Sequence, residues 1–165
     1  MISTRRIRRR VKQLGGQIAA DYADMDLVLL AVLKGAVCVL ADLMREIPAS
    51  VELEFVAVSS YRGVKSGELS RKEPIGAALS DRHVLLVEGI VDSGETARFL
   101  VSHVESLGAR TVEICTLLDK PAARRHPVRI RYAGFQVPDV FAVGYGLDLD
   151  GRYRNLPHIA TLAQG

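Results

Sequence analysis

Three apolar runs separated by helix-length segments decide what this chain can fold into. LVLLAVL at 27–33, HVLLVEGIV at 83–91 and TVEICTLL at 111–118 are continuous rather than alternating. Such runs suit strands covered on both faces. The first leads through Lys34 and Gly35 into a helical stretch reaching about Ile47. The second leads through DSGET into a helix carrying Phe99, Leu100, Val104 and Leu107 that ends at Gly108. Ahead of them, Ile7, Val11, Leu14 and Ile18 recur at steps of three and four, which predicts an amphipathic helix over Arg5–Tyr22 with most of its arginines facing water. Further strands are expected at Val51–Val58, Ile130–Phe135, Val140–Tyr145 and His158–Leu162. Strands alternating with helices imply an α/β chain with a mainly parallel, doubly wound sheet. The polar segment SSYRGVKSGELSRKEP at 59–74 offers no core face and reads as a long mobile loop.

A chain of 165 residues that is 48% hydrophobic can bury one continuous core, so a single domain over 1–165 is expected. Cys38 and Cys115 each lie in an apolar run and read as small buried hydrophobes, not a disulfide or metal pair. The basic start, Arg5, Arg6, Arg8, Arg9, Arg10 and Lys12, is followed by GGQIAADYADMD, which lacks the apolar middle of a signal peptide. No run is long enough to span a bilayer, and a cytoplasmic location is expected. The formal charge of +3 fits anionic small substrates as well as nucleic acid. The N-terminal cations are read as solvating a helix face, which argues against nucleic acid as a partner.

The stretch richest in chemistry is VLLVEGIVDSGET at 84–96. A buried strand brings Glu88 to its carboxyl edge, where open parallel sheets hold ligands, and the chain then turns through Asp92, Ser93 and Gly94 into a helix. Unpaired amides at such a helix start attract phosphate, and Ser93 and Thr96 add hydroxyl donors. An ordinary strand, turn and helix with a polar start fits the same residues. The chain has no GxxxxGK[ST] and no GxGxxG, so Walker-type and dinucleotide-binding folds drop out. DLDG at 148–151 is too short for a calcium loop, and His83, His103, His126 and His158 have no metal spacing.

VEGIVDSGET resembles the signature of the type I phosphoribosyltransferases, and more narrowly that of the hypoxanthine-guanine phosphoribosyltransferases, usually VEDIVDTGxT. The chain also carries, in that family's order, VLKGA (32–36), SSYRG (59–63), LLDKP (117–121), VPDVFAVGYGLD (137–148) and YRNLP (153–157). The resemblance spans nearly the whole chain. It implies the type I fold, with a central mainly parallel sheet flanked by helices, a small hood built from the chain ends, and a flexible lid loop over 59–72. It also implies transfer of a 5-phosphoribosyl group from phosphoribosyl pyrophosphate to hypoxanthine or guanine, with Mg2+ as cofactor and a homodimer or homotetramer as assembly.

Carried over by position, the resemblance assigns Asp92 the role of general acid and base at purine N7, a task suited to a carboxylate. Asp92, Ser93, Gly94, Glu95 and Thr96 would cradle the 5'-phosphate. Lys120 would donate to the purine 6-oxo group, favouring 6-oxopurines over adenine, whose amino group is itself a donor. Phe141 would stack on the ring, with Val140, Ala142 and Leu147 around it. Lys34, Gly35 and Arg154 would hold the departing pyrophosphate. Glu88 and Gly89 would face the ribose, and Glu88 and Asp148 would serve Mg2+. Ser59, Ser60 and Tyr61 would belong to the lid.

The chain departs from the family pattern at Gly89, where an Asp is usual, and in lesser ways at Ala36 and Arg62. Losing one charged acceptor beside the ribose is expected to cost about tenfold to a hundredfold in rate. On that reasoning Gly89→Asp should raise kcat/KM. A second reading, from another functional class, is a regulatory or catalytically degenerate homologue that binds nucleotide, with RNA contacted by the N-terminal helix and the PAARRH segment. Steeply salt-dependent RNA binding would distinguish it.

Overall fold

In a computed structural model of the chain, residues 1–60, 69–71 and 79–162 are described. The elements run α1 (Thr4–Asp21), β1 (Leu27–Leu33), α2 (Val37–Leu43), a 3-10 turn (Met44–Glu46), β2 (Glu52–Ser60), β3 (Leu69–Arg71), β4 (His83–Val91), α3 (Glu95–Ser106) and β5 (Thr111–Asp119). A second 3-10 turn (Pro121–Ala123), β6 (Tyr132–Gln136), β7 (Ala142–Val143) and β8 (Ala160–Thr161) complete them.

The main sheet has the order β3-β2-β1-β4-β5-β6. Five of its six strands, β2, β1, β4, β5 and β6, are parallel, and only β3 runs against its neighbour β2. Alternation within each doubly covered strand feeds two cores. Leu27, Leu29 and Ala31 join Leu85 and Val87 under α1 and α2, while Val28, Leu30 and Val32 join Val84 and Leu86 under α3. This explains why the runs read as continuous: residues 27–32 of β1 and 84–89 of β4 are buried on both faces.

The predicted stripe of α1 is the buried one, since Ile7, Val11, Leu14 and Ile18 are each at most 1% exposed. Gly15 extends it, because a Cβ there would lie 2.4 Å from Glu46 Cβ, and its absence lets α1 sit tightly on the turn after α2. One arginine leaves the wet face. Arg10 donates to the carbonyl oxygens of Gly134 and Ala133 at 3.0 and 2.6 Å, tying α1 to β6. Both cysteines are free; Cys115 is buried and Cys38 half-buried.

Two expectations change. The 59–74 segment is not all loop, because Ser59 and Ser60 continue β2 and pair with Ser70 and Leu69 of β3. Tyr61 lies outside the described residues, as does most of the proposed lid. The strand expected over Val140–Tyr145 shrinks to Ala142–Val143, because Gly144, Tyr145 and Gly146 all adopt positive φ (97°, 48° and 96°), which no strand tolerates. The chain ends meet at this side of the molecule. Ile2 bridges Ile159, and β7 pairs with β8. No helix among the described residues is long and apolar enough to cross a membrane.

Candidate functional site

The chain reverses its direction of travel across the sheet between β1 and β4. From β1 it steps outward to β2, then returns to the other side of β1 as β4. Helices after such strands leave on opposite faces, so a crevice opens at their carboxyl ends. Here the ladder between β1 and β4 runs from Leu27 with His83 to Ala31 with Val87 and stops one residue short of Glu88. Beyond it lies a cavity of about 370 Å3 whose lining includes Leu33 and Gly35 from the end of β1, Glu88 and Gly89 from β4, Glu95 and Thr96 from the start of α3, and Leu147. Residues predicted separately for the purine, the 5'-phosphate, the ribose and the pyrophosphate thus line one cavity.

Glu88 is 7% exposed, and its carboxyl is pushed up to about 8 by burial. Among the described residues no cation stands against it to hold it ionised, so the neutral acid is favoured. Next to it, Gly89 is an enforced glycine. A Cβ there would come within 2.5 Å of the Gly35 carbonyl oxygen and 3.1 Å of Leu147 Cδ2. Gly146 presses on the same oxygen from another side, since its Cβ would lie 2.6 Å away. The expectation that Gly89→Asp would restore a missing function meets this contact directly, because the site is closed up around the absence of a side chain.

The peptide joining Leu33 to Lys34 is cis, and Lys34 itself is exposed at the strand end. At the other lip, the β4 strand turns through Asp92 and Ser93. Gly94 at φ 83° begins α3 in the left-handed region, and Ser93 Oγ accepts from the Glu95 amide at 3.3 Å. The α3 start therefore presents its amides beside the cavity without a capping side chain on Gly94.

Lys120 is the most buried cation of the site at 6% exposure. Its Nζ donates to Asp92 Oδ2 at 3.0 Å and lies 3.5 Å from Asp139 Oδ1. The two residues predicted to touch adjacent purine atoms are thus in direct contact. Asp139 was missed by the sequence reading, although it sits inside the VPDVF motif. Phe141, two residues on, is 45% exposed, an unusual position for a large aromatic ring and one open to stacking. Ala142 is held in β7 against Thr161, and Val140 is half-buried between them and Asp139 in sequence.

Asp148 and Arg154 also meet. Arg154 Nη2 lies 2.7 Å from Asp148 Oδ1, and its Nη1 donates to the Gly146 carbonyl at 2.6 Å. Asp148 Oδ2 accepts from the Gly151 amide at 2.8 Å. Arg154 therefore fixes the Gly146–Leu147 turn that closes the cavity. Among the described residues, no group of three or more His, Cys, Asp or Glu could hold a metal ion by itself. Ser59 and Ser60 stand at the end of β2, one strand away from the crevice.

The comparisons agree with this architecture. Residues 3–150 match the phosphoribosyl transferase domain. The hypoxanthine-guanine phosphoribosyltransferase of Bacillus subtilis is 41% identical over 164 residues, covering 98% of this chain and 91% of that protein. Among solved structures, the hypoxanthine phosphoribosyltransferase of Staphylococcus aureus superposes with a TM-score of 0.94 at 36% identity, covering 99% of this chain and 90% of the other. That of Trypanosoma cruzi in complex with its product IMP gives 0.92 at 34% identity, covering 99% and 92%. The chain belongs to the phosphoribosyltransferase family and, within it, to the hypoxanthine-guanine phosphoribosyltransferases.

Proposed function

We propose that the protein salvages purines by transferring the 5-phosphoribosyl group of phosphoribosyl pyrophosphate to hypoxanthine and guanine, giving IMP or GMP and pyrophosphate. The observation that carries this reading is the 3.0 Å contact between Lys120 Nζ and Asp92 Oδ2 beside the crevice. On a 6-oxopurine, O6 and N7 are neighbouring atoms on one edge of the base. An ammonium and a carboxylate held this close suit that edge: the ammonium donates to O6 while the carboxylate takes the proton from N7 as N9 attacks the sugar. Adenine places an amino group opposite the ammonium and is disfavoured. Phe141 supplies the stacking face, with Val140, Ala142 and Leu147 beside it.

The remaining groups follow the charge. The α3 start, with Ser93, Gly94, Glu95 and Thr96, takes the 5'-phosphate through amides, hydroxyls and the helix dipole. Glu88 and the backbone at Gly89 face the ribose. The Lys34–Gly35 peptide and Arg154 oppose the negative charge that grows on pyrophosphate. Ser59, Ser60 and Tyr61 belong to a lid that shields the activated sugar from water.

Glu88 and Asp148 fit Mg2+ by donor type. Both are hard oxygen ligands, Glu88 has no cationic partner among the described residues, and this ion commonly takes one or two carboxylates plus substrate phosphates. When bound it would neutralise pyrophosphate charge. The enzyme acts in the cytoplasm as a homodimer or homotetramer. A regulatory or degenerate homologue is not favoured, because purine, phosphate and pyrophosphate groups are all retained.

The test is steady-state turnover of hypoxanthine, guanine, xanthine and adenine with phosphoribosyl pyrophosphate and Mg2+, run beside Asp92→Asn. Turnover of 6-oxopurines that falls at least about a hundredfold in the variant supports the reading. Turnover that survives in Asp92→Asn would remove Asp92 from the chemistry, and its absence in the parent protein would defeat the assignment.

A further inference from the structure

The PAARRH segment has so far no part in the reaction, yet it grips the loop proposed to bind phosphate. Arg125 and His126 both donate their amides to the Ser93 carbonyl, each at 2.9 Å. The Lys120 amide donates to the Val91 carbonyl at 3.0 Å, and Arg124 Nη2 reaches the same oxygen at 3.4 Å. Gly94 lies directly beneath the segment, because a Cβ there would sit 2.4 Å from the His126 carbonyl oxygen and 2.9 Å from Arg124 Cδ.

This grip sets direction. In a trans peptide the carbonyl and the following amide point opposite ways. With the Ser93 carbonyl drawn into the segment, the Gly94 N–H is turned away from it. The arrangement would be loose if the segment itself were free, but it is anchored. The Arg124 guanidinium forms a close ion pair with Asp119 at the end of β5, and their side chains are only 17% and 11% exposed. The Asp119 carbonyl in turn accepts from the Val137 amide at 2.9 Å, so the anchor is continuous with the sheet edge. The Arg124 side chain thus joins Asp119 at the end of β5 to the Val91 carbonyl at the end of β4, one residue before the phosphate loop, and packs its Cδ against Gly94 within that loop.

We propose that Arg124, held by Asp119, is a positioning residue that orients the Asp92–Thr96 loop for the 5'-phosphate and so sets the phosphate-dependent part of nucleotide affinity. This rests on the assignment of that loop to the 5'-phosphate. Arg124 does not touch substrate; it acts through the Val91 carbonyl and, by anchoring its own segment, through the Arg125 and His126 amides that hold the Ser93 carbonyl.

The experiment compares the affinities of IMP and inosine, which differ only in the 5'-phosphate, by calorimetry on the whole protein. The variants are Arg124→Ala, Arg124→Lys, and the charge-free pair Asp119→Asn with Arg124→Gln, which avoids leaving a buried carboxylate unpartnered if the first variant fails to fold. Arg124→Ala is expected to weaken IMP about tenfold, the scale of one charge-assisted hydrogen bond, while inosine affinity holds. Arg124→Lys should recover part of the loss, and the KM for phosphoribosyl pyrophosphate should rise while kcat changes little. Equal losses for IMP and inosine, or none for either, would overturn the proposal. Thr96→Val separates the two assignments. If it lowers the IMP preference and the Arg124 variants do not, the positioning role fails alone; if none lowers it, the phosphate site itself is misplaced.

Discussion

A side chain added at Gly89 is expected to lower activity even when it restores the carboxylate usual in the family. The Cβ of an alanine there would lie 2.5 Å from the Gly35 oxygen and 2.8 Å from its carbon, where ordinary van der Waals contacts begin at 3.4 Å. Both atoms are backbone, and Gly146 confines the oxygen from another direction, so relief requires moving the Lys34–Gly35 peptide as a unit. Forcing extra volume into packed structure costs about 1–3 kcal/mol. If that peptide must return to its place to hold pyrophosphate, the same cost appears as a rise of about fivefold to a hundredfold in the KM for phosphoribosyl pyrophosphate. Thermal unfolding should fall by about 3 °C for each kcal/mol in a domain of this size. Gly89→Ala isolates the steric part, and Gly89→Asp adds the charge. Kinetics with phosphoribosyl pyrophosphate varied at saturating hypoxanthine, together with melting curves, measure both. The aspartate is expected to outperform the alanine by about tenfold to a hundredfold, the worth of one charged hydrogen bond, and to remain at or below the parent because its larger side chain meets the same backbone. A Gly89→Asp protein with a higher kcat/KM than the parent and an unchanged Tm would refute the reasoning. The loop would then yield freely, and the missing carboxylate would be the limit.

Two further outcomes are expected. Glu88 is neutral in the folded, ligand-free protein up to about pH 8 but ionises near 4.5 when unfolded, so its contribution to stability is fully present below pH 4.5 and is lost as pH rises toward 8. The loss reaches as much as about 5 kcal/mol by order of magnitude, so the Tm advantage of Glu88→Gln in the ligand-free protein should widen steadily from pH 5 to pH 8; a pH-independent gap would dismiss the buried acid. Lys120→Met should raise the KM for hypoxanthine about tenfold to a hundredfold and narrow the preference over adenine, since it removes the proposed donor to O6; an unaltered ratio of hypoxanthine to adenine turnover would move 6-oxo recognition elsewhere.

What the sequence made legible is what short-range pattern controls. The stripe of α1 follows from helical spacing alone, and β1, β4 and β5 follow from apolar runs bounded by turn residues. The order of the strands does not, because register across the sheet is set by contacts between distant residues. The strand β3 was hidden because Leu69–Arg71 carries no apolar alternation and exists through pairing with β2. The shortened β7 had its cause in plain view, with Gly144 and Gly146 flanking Tyr145, but only backbone angles show that all three turn left-handed. The same limit holds for the site. Motif positions named Lys120 and Asp92, yet their contact depends on how β4 and β5 end side by side, with Val91 opposite Asp119. Asp139 and Arg124 were legible only as charges until the fold gave them partners.

The departure at Gly89 shows why a residue's meaning in a motif cannot be separated from its neighbours. Read as chemistry, glycine there is a lost carboxylate. Read as packing, it is the position against which Gly35 closes, at the point where β1 and β4 part company. The ladder stops at Ala31 and Val87, so the next residues of β4 are free to serve the crevice. Glu88 uses that freedom to bring in a carboxyl, and Gly89 uses it to admit the Gly35 carbonyl. Gly146 closes on the same oxygen while its own carbonyl is held by Arg154. A contact of this kind couples three groups with separate proposed tasks: the pyrophosphate peptide, the ribose-facing strand and the turn beside the purine. Changing Gly89 should therefore disturb pyrophosphate and purine binding together, whereas loss of a carboxylate alone would spare the purine, and the KM values for the two substrates can tell these apart.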